Sequence, residues 1–496
     1  MKERNIVLLS LDNGFTFSYG IPYLDAYLRK EGIEAKILFP KIRNLNKRQV
    51  IKNIINLNPI IVGLGGLFHD IYEIKDIISG LEPYRNNFTI VIGGYLVTPI
   101  PEFALLKTNA DIAVIGEGEI IFSNLVKTIL GARDIRNVKG IAIRDGNKVI
   151  LTGPGPFIED LSGLPEIDYD KFPLDQFIKI FNYYKYVPQN SLYTPASRVF
   201  WIQTGRGCPF ECNFCYHHSK FRVRKIPDVI REAKELTQRY RLNIVRFQDD
   251  LLTINKKRTL ELCNAIIQEK LKIKYIVSGH FAILDEEMVR ALKESGCIQI
   301  SLGIESGSQR ILDMIGKGTR VEKIDQVMRL IRKYEIDRGV SIQMGQPGET
   351  KQEIEKTVEL LMKHIDEYTT PSATITTPYP GSHLYGQAIR DGLIKGPEDF
   401  YNRYKNISNI SVNFSALSDK ELNEVYNKTC QLLINKKWEA LKRQLGKTKF
   451  YLRKARYRLL TYAKQAQDPY KLFCKILQRV IKILSFANFS KNWQIP

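Results

Sequence analysis

No cysteine precedes Cys208 in this chain of 496 residues, and only seven occur in all. A disulfide-stapled scaffold is thereby excluded for the N-terminal part. Also lacking is any uncharged apolar run of about 18 residues, so no membrane-spanning helix is expected. The N-terminus, MKERNIVLLSLDNG, has neither the long apolar region nor the small-residue cleavage site of a secretory leader; its IVLLSL reads as a buried first strand. No Gly/Pro-rich or low-complexity tract breaks a composition that is 44% hydrophobic and 26% charged. That composition and length fit a globular protein of two or three domains. Together these absences predict a cytoplasmic protein, in which clustered thiols stay reduced and bind metals or do chemistry.

Positive charge is abundant, with a net charge of +21, and unevenly spread. Residues 436–482 hold 15 Lys/Arg against two acidic residues, a local +13 that leaves +8 for the rest. Along residues 1–138, apolar runs at Ile6–Leu11, Ala35–Phe39, Ile60–Leu64, Ile90–Ile92 and Ile112–Ile115 alternate with helical patterns. This alternation predicts a doubly wound, mostly parallel sheet in an α/β (Rossmann-like) domain. Glycines cluster at its strand ends, with Gly93-Gly94 and Gly116-Glu117-Gly118-Glu119 the clearest, where such folds bind ligands. Residues 139–194 read as a connector, opening on a hairpin that turns at Asp145-Gly146 and continuing through scattered prolines. Over 195–395 six further strand/helix units predict a partial (β/α)6 barrel, whose chemistry belongs at the C-terminal strand ends.

At the end of the first barrel strand stands GRGCPFECNFCYHH, with Cys208, Cys212 and Cys215 spaced C-x3-C-x2-C. Three thiolates on one short loop can hold three irons of a [4Fe–4S] cluster and leave the fourth iron open. The competing reading is a Cys3His zinc site using His217 or His218. The other cysteines, Cys263, Cys297, Cys430 and Cys474, read as buried small side chains. His280 is placed at the third strand end, facing the catalytic side. Tyr379 and Tyr385 read either as walls of the substrate pocket or as core.

The loop C-x3-C-x-F-C resembles the signature of radical S-adenosylmethionine (SAM) enzymes. FQDD (247–250), GIESG (303–307), GQPGET (345–350) and TPYPGS (377–382) are similar in order and location to motifs of that superfamily. The N-terminal sheet with its GG and GEGE resembles the cobalamin-binding domain fused ahead of many such barrels. The likeness spans about residues 1–390. It implies a [4Fe–4S] cluster on Cys208, Cys212 and Cys215, whose open iron chelates SAM and whose electron cleaves it to a 5′-deoxyadenosyl radical. It also implies SAM contacts from Asp249, Asp250, Gly303, Glu305 and Ser306. Cobalamin contacts fall to Gly93, Gly94, Gly116, Glu117 and Gly118. The loop LDNGFTFSYG carries no histidine, so no imidazole from it can ligate cobalt; His69 reads as a solvated neighbour of a helix start.

The expected reaction is cobalamin-dependent methyl transfer to an unactivated carbon of a hydrophobic small molecule or lipid. The first rival is a non-methylating radical SAM cyclase or oxidase of the tetrapyrrole-cyclase type; the second is a non-catalytic iron–sulfur protein. The absence of N-terminal cysteines argues against a methylthiotransferase. An electron donor such as flavodoxin or ferredoxin is the implied partner. Residues 396–496 read as a basic helical region, and YKLFCKILQRVIKILSF (470–486) segregates apolar from basic residues. That pattern predicts peripheral contact of 436–486 with the inner membrane surface; packing on the barrel is the alternative, and nucleic acid is the weakest reading.

Overall fold

The computed structural model describes residues 4–14, 16–185, 192–193, 196–216 and 219–445. The five apolar runs form β1 (Asn5–Ser10), β2 (Ala35–Leu38), β3 (Pro59–Gly65), β4 (Thr89–Gly93) and β5 (Ile112–Val114), paired in parallel in the order β2-β1-β3-β4-β5. The chain leaves β1 toward one side for β2 and toward the other for β3. A crevice therefore opens beyond the carboxyl ends of β1 and β3. The hairpin assigned to the connector instead belongs to this sheet: β6 (Ile141–Asp145) pairs antiparallel with β5, and β7 (Lys148–Leu151) follows it. Pairing with β6 satisfies the backbone groups that β5 would otherwise leave open at an edge.

The second sheet contains β8 (Val199–Ile202), β11 (Ile244–Phe247), β12 (Lys274–Gly279), β13 (Cys297–Glu305), β14 (Asp337–Met344) and β15 (Thr369–Ile375). These six strands are parallel in chain order and do not close, giving the expected partial barrel. A short antiparallel ribbon, β9 (Gly205–Arg206) and β10 (Arg222–Val223), flanks the cysteine loop. The outer helices bury one stripe each. In Val321–Lys333, Ile324, Val327, Met328 and Ile331 follow the i, i+3, i+4, i+7 spacing and are fully buried. Helix Lys351–His364 starts on a capping box in which Thr350 and Glu353 satisfy each other's backbone amides.

The two sheets share one continuous core. At its centre Phe17, from the loop after β1, packs against Phe200 of β8 (centroids 4.9 Å), Phe177 (5.3 Å) and Phe172 (5.7 Å). The last two belong to the connector, whose helix Leu174–Lys185 wedges beside the seam. The Tyr19 hydroxyl adds a cross-domain hydrogen bond to the Trp201 carbonyl (2.8 Å).

The region after the barrel does not stand apart from it. Helix Asp419–Leu445 packs along β15, with Leu422, Tyr426 and Leu433 in the shared core. Phe400, Tyr401, Val412 and Phe414 join the second core under the N-terminal sheet. Among the described residues no helix is long and apolar enough to cross a membrane. The amphipathic stretch 470–486 and most of the basic run lie outside the described residues, as do His217 and His218.

Because Phe17 joins three segments, Phe17→Ala is expected to lower stability by about 3–5 kcal/mol, within the range for buried aromatic truncation. Chemical denaturation measures this, and a loss below about 1 kcal/mol would show that the seam carries little of the fold.

Candidate active site

The cysteine loop is fixed from two sides. The Asn213 amide donates to the Ile315 carbonyl (3.0 Å) and the Leu384 amide to the Asn213 carbonyl (2.9 Å). Gly207 turns the chain into the loop at φ +78°, where a Cβ would sit 2.5 Å from the carbonyl oxygens of Ser219 and Lys220. No other residue fits that turn. Phe210, between the first two cysteines, stacks on His280 with centroids 3.9 Å apart. Cys208, Cys212 and Cys215 all line a cavity of about 630 Å³ inside the barrel mouth. Burial raises all three thiols, Cys215 to about 12.

Asp250, Gly303, Glu305 and His280 line the same cavity. Glu305 sits at φ +59° and pairs with buried Lys317 at 2.9 Å. Gly303 is required for this pair, because a Cβ there would overlap the Glu305 carboxylate and stand 2.8 Å from Lys317 Nζ. The second Glu305 oxygen, Oε2, is buried without a hydrogen-bond partner among the described residues. Lys317 also faces Cys212 and Cys215, drawing their thiols toward the ionised form against the effect of burial.

Two residues expected beside SAM are bonded within the chain and do not line the cluster cavity. Asp249 accepts from the Thr204 amide (2.6 Å) and hydroxyl, tying the ends of β8 and β11 together; burial lifts its carboxyl to about 6. It borders the neighbouring cleft and not the cluster cavity. Ser306 is fully buried behind the strand end, where its hydroxyl meets Thr357 (3.2 Å) and accepts from the Ser308 amide (3.1 Å). Tyr385 is core and Tyr379 packs against it: Tyr379 stacks on Phe68 (5.1 Å), Tyr385 packs against Phe400 (6.0 Å), and neither lines the cluster cavity or the neighbouring cleft.

A second cavity, about 610 Å³, opens between the sheets at the carboxyl ends of β1, β3, β4 and β5. Gly93, Gly94, Gly116 and Gly118 line it. Gly116, at φ +87°, has nothing within 4 Å of its Cβ position, so its backbone faces open space. Gly94 approaches Gly66 so closely that a Cβ would lie 3.0 Å from its carbonyl oxygen. His69 is at the rim with its side chain half exposed. Glu117 lines the cleft as well, and its carboxylate is held by Arg222 (2.6 and 2.9 Å) and Arg206 (3.3 Å). Burial works to raise its carboxyl, but the two guanidinium groups outweigh that and hold it below the usual range. Glu119 takes the other arm of Arg206 (2.6 Å). Tyr95, Gly207 and Asp250 line both cavities and form the wall between them.

Residues 202–361 match the radical SAM superfamily, and residues 7–126 match the B12 binding domain. An uncharacterized methyltransferase of Pyrococcus horikoshii is 30% identical over 382 residues, covering 76% of this chain and 79% of that one. This chain belongs to the family of radical SAM enzymes that carry a cobalamin-binding domain. An anaerobic magnesium-protoporphyrin IX monomethyl ester cyclase of Cereibacter sphaeroides is 27% identical, over 75% of this chain and 60% of its own length. The fold is that of the radical SAM methyltransferase TsrM from Kitasatospora setae (TM-score 0.65, 18% identity, 80% of each chain). It is also that of the cobalamin-dependent radical enzyme OxsB (TM-score 0.69, 17% identity, 98% of this chain and 76% of that one).

The residues present fit the family's cofactors. Among the described residues no group of His, Cys, Asp and Glu gathers around a single ion, yet three free thiols share one cavity wall. That suits a cluster in which each cysteine binds a different iron, and not a mononuclear zinc site built from the described residues. The glycine-rimmed cleft offers backbone and open volume to a large flat ligand, as a cobalamin domain of this family requires. Lys317, Arg206, Arg222 and Tyr95 were not singled out from the sequence. Lys317 had a signal, since a lysine flanked by two glycines follows the GIESG strand end; the arginines, one on each side of the cysteine loop, had none.

Burial, with the Lys317 ammonium nearby, lowers His280 from 6.5 to about 4. The unfolded chain therefore takes up this proton first as pH falls, and stability is lost between about pH 6.5 and pH 4 by roughly 3 kcal/mol. His280→Phe keeps the stack on Phe210 and is expected to flatten that part of the stability–pH curve. An unchanged curve would contradict the assignment.

Proposed function

We propose that this chain transfers a methyl group to an unactivated carbon of a small molecule held in the barrel cavity. The observation that carries the reading is the shared wall: Tyr95, Gly207 and Asp250 border both the cysteine-lined cavity and the glycine-rimmed cleft. When bound, the cluster and SAM supply hydrogen abstraction and cobalamin supplies the methyl group. The chain's own residues do the positioning. Cys208, Cys212 and Cys215 hold three irons, and the free Glu305 oxygen and Asp250 are acceptors for the cationic amine or ribose hydroxyls of SAM. The Arg206–Glu117–Arg222 cluster keeps the cleft against the cysteine loop. A flavodoxin- or ferredoxin-type donor is the proposed source of the electron.

The lipid substrate expected from the basic tail rests on residues outside those described. Cyclisation or oxidation without methylation remains the second reading, favoured by the similarity to the tetrapyrrole ester cyclase.

Anaerobic reconstitution with iron, sulfide, SAM and hydroxocobalamin, followed by product mass, separates the two. A gain of one CH2 supports methyl transfer, whereas a loss of hydrogen or gain of oxygen contradicts it. Cys212→Ala is expected to abolish 5′-deoxyadenosine formation while cobalt absorbance survives desalting. Gly116→Val, which places a side chain in the cleft at an unfavourable φ, is expected to lose cobalt absorbance while the cluster spectrum survives.

A further inference from the structure

The lumen of a (β/α) barrel is ordinarily filled by branched apolar side chains. Here the inward positions are small and polar. Ser278, Ser301, Gly339 and Thr370 are register partners across β12, β13, β14 and β15, and Gly303, Ser341 and Ser372 form the layer above. Among the described residues the side-chain hydroxyls of Ser278, Ser301 and Ser341 have no hydrogen-bond partner, while their backbones are held in the sheet, and all three line the cysteine cavity.

Below these layers the cavity ends on Arg246 of β11, in register with Ile276, which in turn pairs with Gln299. Among the described residues Arg246 has no carboxylate partner. Among the described residues its side chain makes one hydrogen bond, from Nη1 to the Tyr193 hydroxyl (2.9 Å). The carboxylate on this floor, Asp337, is already engaged by Gln299 (2.7 Å) and Thr370 (3.2 Å), and Lys437 faces it electrostatically. The other cation of the cavity, Lys317, is committed to Glu305 at the mouth. From Gln299 to Glu305 β13 runs roughly 20 Å, so Arg246 is well removed from the Glu305–Lys317 pair that stands beside the cysteines.

We propose that Arg246, with the lumen hydroxyls above it, binds an oxyanion of the substrate, a carboxylate or phosphate, so that the substrate enters anionic end first and presents its reacting carbon toward the cysteine loop. A half-buried guanidinium with no counter-ion among the described residues is costly to hold, and a planar fork in a cavity that also carries serine hydroxyls matches an oxyanion. The idea rests on the barrel cavity being the substrate site.

The test uses the reconstituted, SAM-loaded but unreduced holoenzyme, so it needs no turnover. Binding of benzoate and of sn-glycerol 3-phosphate is measured by calorimetry against the neutral counterparts benzamide and glycerol, with dihexanoyl phosphatidic acid as the lipid arm. At least one anion should bind about tenfold or more tightly than its neutral counterpart, and Arg246→Gln should remove that preference. Arg246→Lys should keep a weaker preference. Cluster and cobalt absorbance report that each variant is folded. Preference for dihexanoyl phosphatidic acid over glycerol 3-phosphate points to a lipid headgroup, and the reverse to a soluble metabolite. Equal binding of charged and neutral probes, or an anion preference that survives Arg246→Gln, overturns the inference. Failure of the methyl-transfer reading would appear separately, as absent cobalt absorbance or the wrong product mass in the unsubstituted enzyme.

Discussion

Everything in this molecule turns on the seam where its two sheets meet, and a buried charge cluster spans it. Arg206 and Arg222, on the two strands of the ribbon around the cysteine loop, reach across the seam to Glu117 and Glu119 beyond β5. Isolated surface pairs contribute little, but charges this buried must stay matched, because losing one partner strands the other. The cluster therefore ties the mouth of the barrel to the mouth of the cleft. The apolar seam around Phe17 supplies adhesion without direction, and the ion pairs supply the register.

With that register set, the chemistry follows from strand ends. Parallel sheets place their functional residues at carboxyl ends, and here two sets of ends face one gap. Glycine at 207 permits the turn into the cysteines, and glycine at 303 leaves room for Glu305 and Lys317 to pair beside them. The barrel below is kept hollow by serines, a threonine and glycine. A packed core at those positions would have been more stable, so the lumen is where this fold gives up stability for a ligand.

Much of this was legible in the sequence, for identifiable reasons. Long apolar runs with intervening amphipathic helices forecast both sheets, since their periodicity is a local property. The cysteines and the strand-end glycines were legible because spacing and punctuation are local too. Pairing was not. That Glu117, at the cleft, is clamped by two arginines depends on Arg206 and Arg222, which lie far along the chain. Asp249 and Asp250 are adjacent in sequence, yet alternation sends one to Thr204 and the other to the shared wall. Ser306 next to Glu305 diverges for the same reason, and the hairpin at Asp145-Gly146 was correctly a hairpin assigned to the wrong neighbour. Arg246 carried a signal that went unused: a lone charge inside an otherwise apolar strand.

The cleft and the cysteine-lined cavity have Tyr95, Gly207 and Asp250 as a common wall, which would hold cobalt and cluster close together. Pulsed electron paramagnetic resonance on the anaerobically reconstituted enzyme, with the cluster reduced and the cobalt in its paramagnetic divalent state, tests this most directly. The account predicts a resolved dipolar interaction between the two centres that weakens when the Arg206 clamp is broken by Arg206→Ala. Two magnetically independent centres in the unsubstituted enzyme would contradict it.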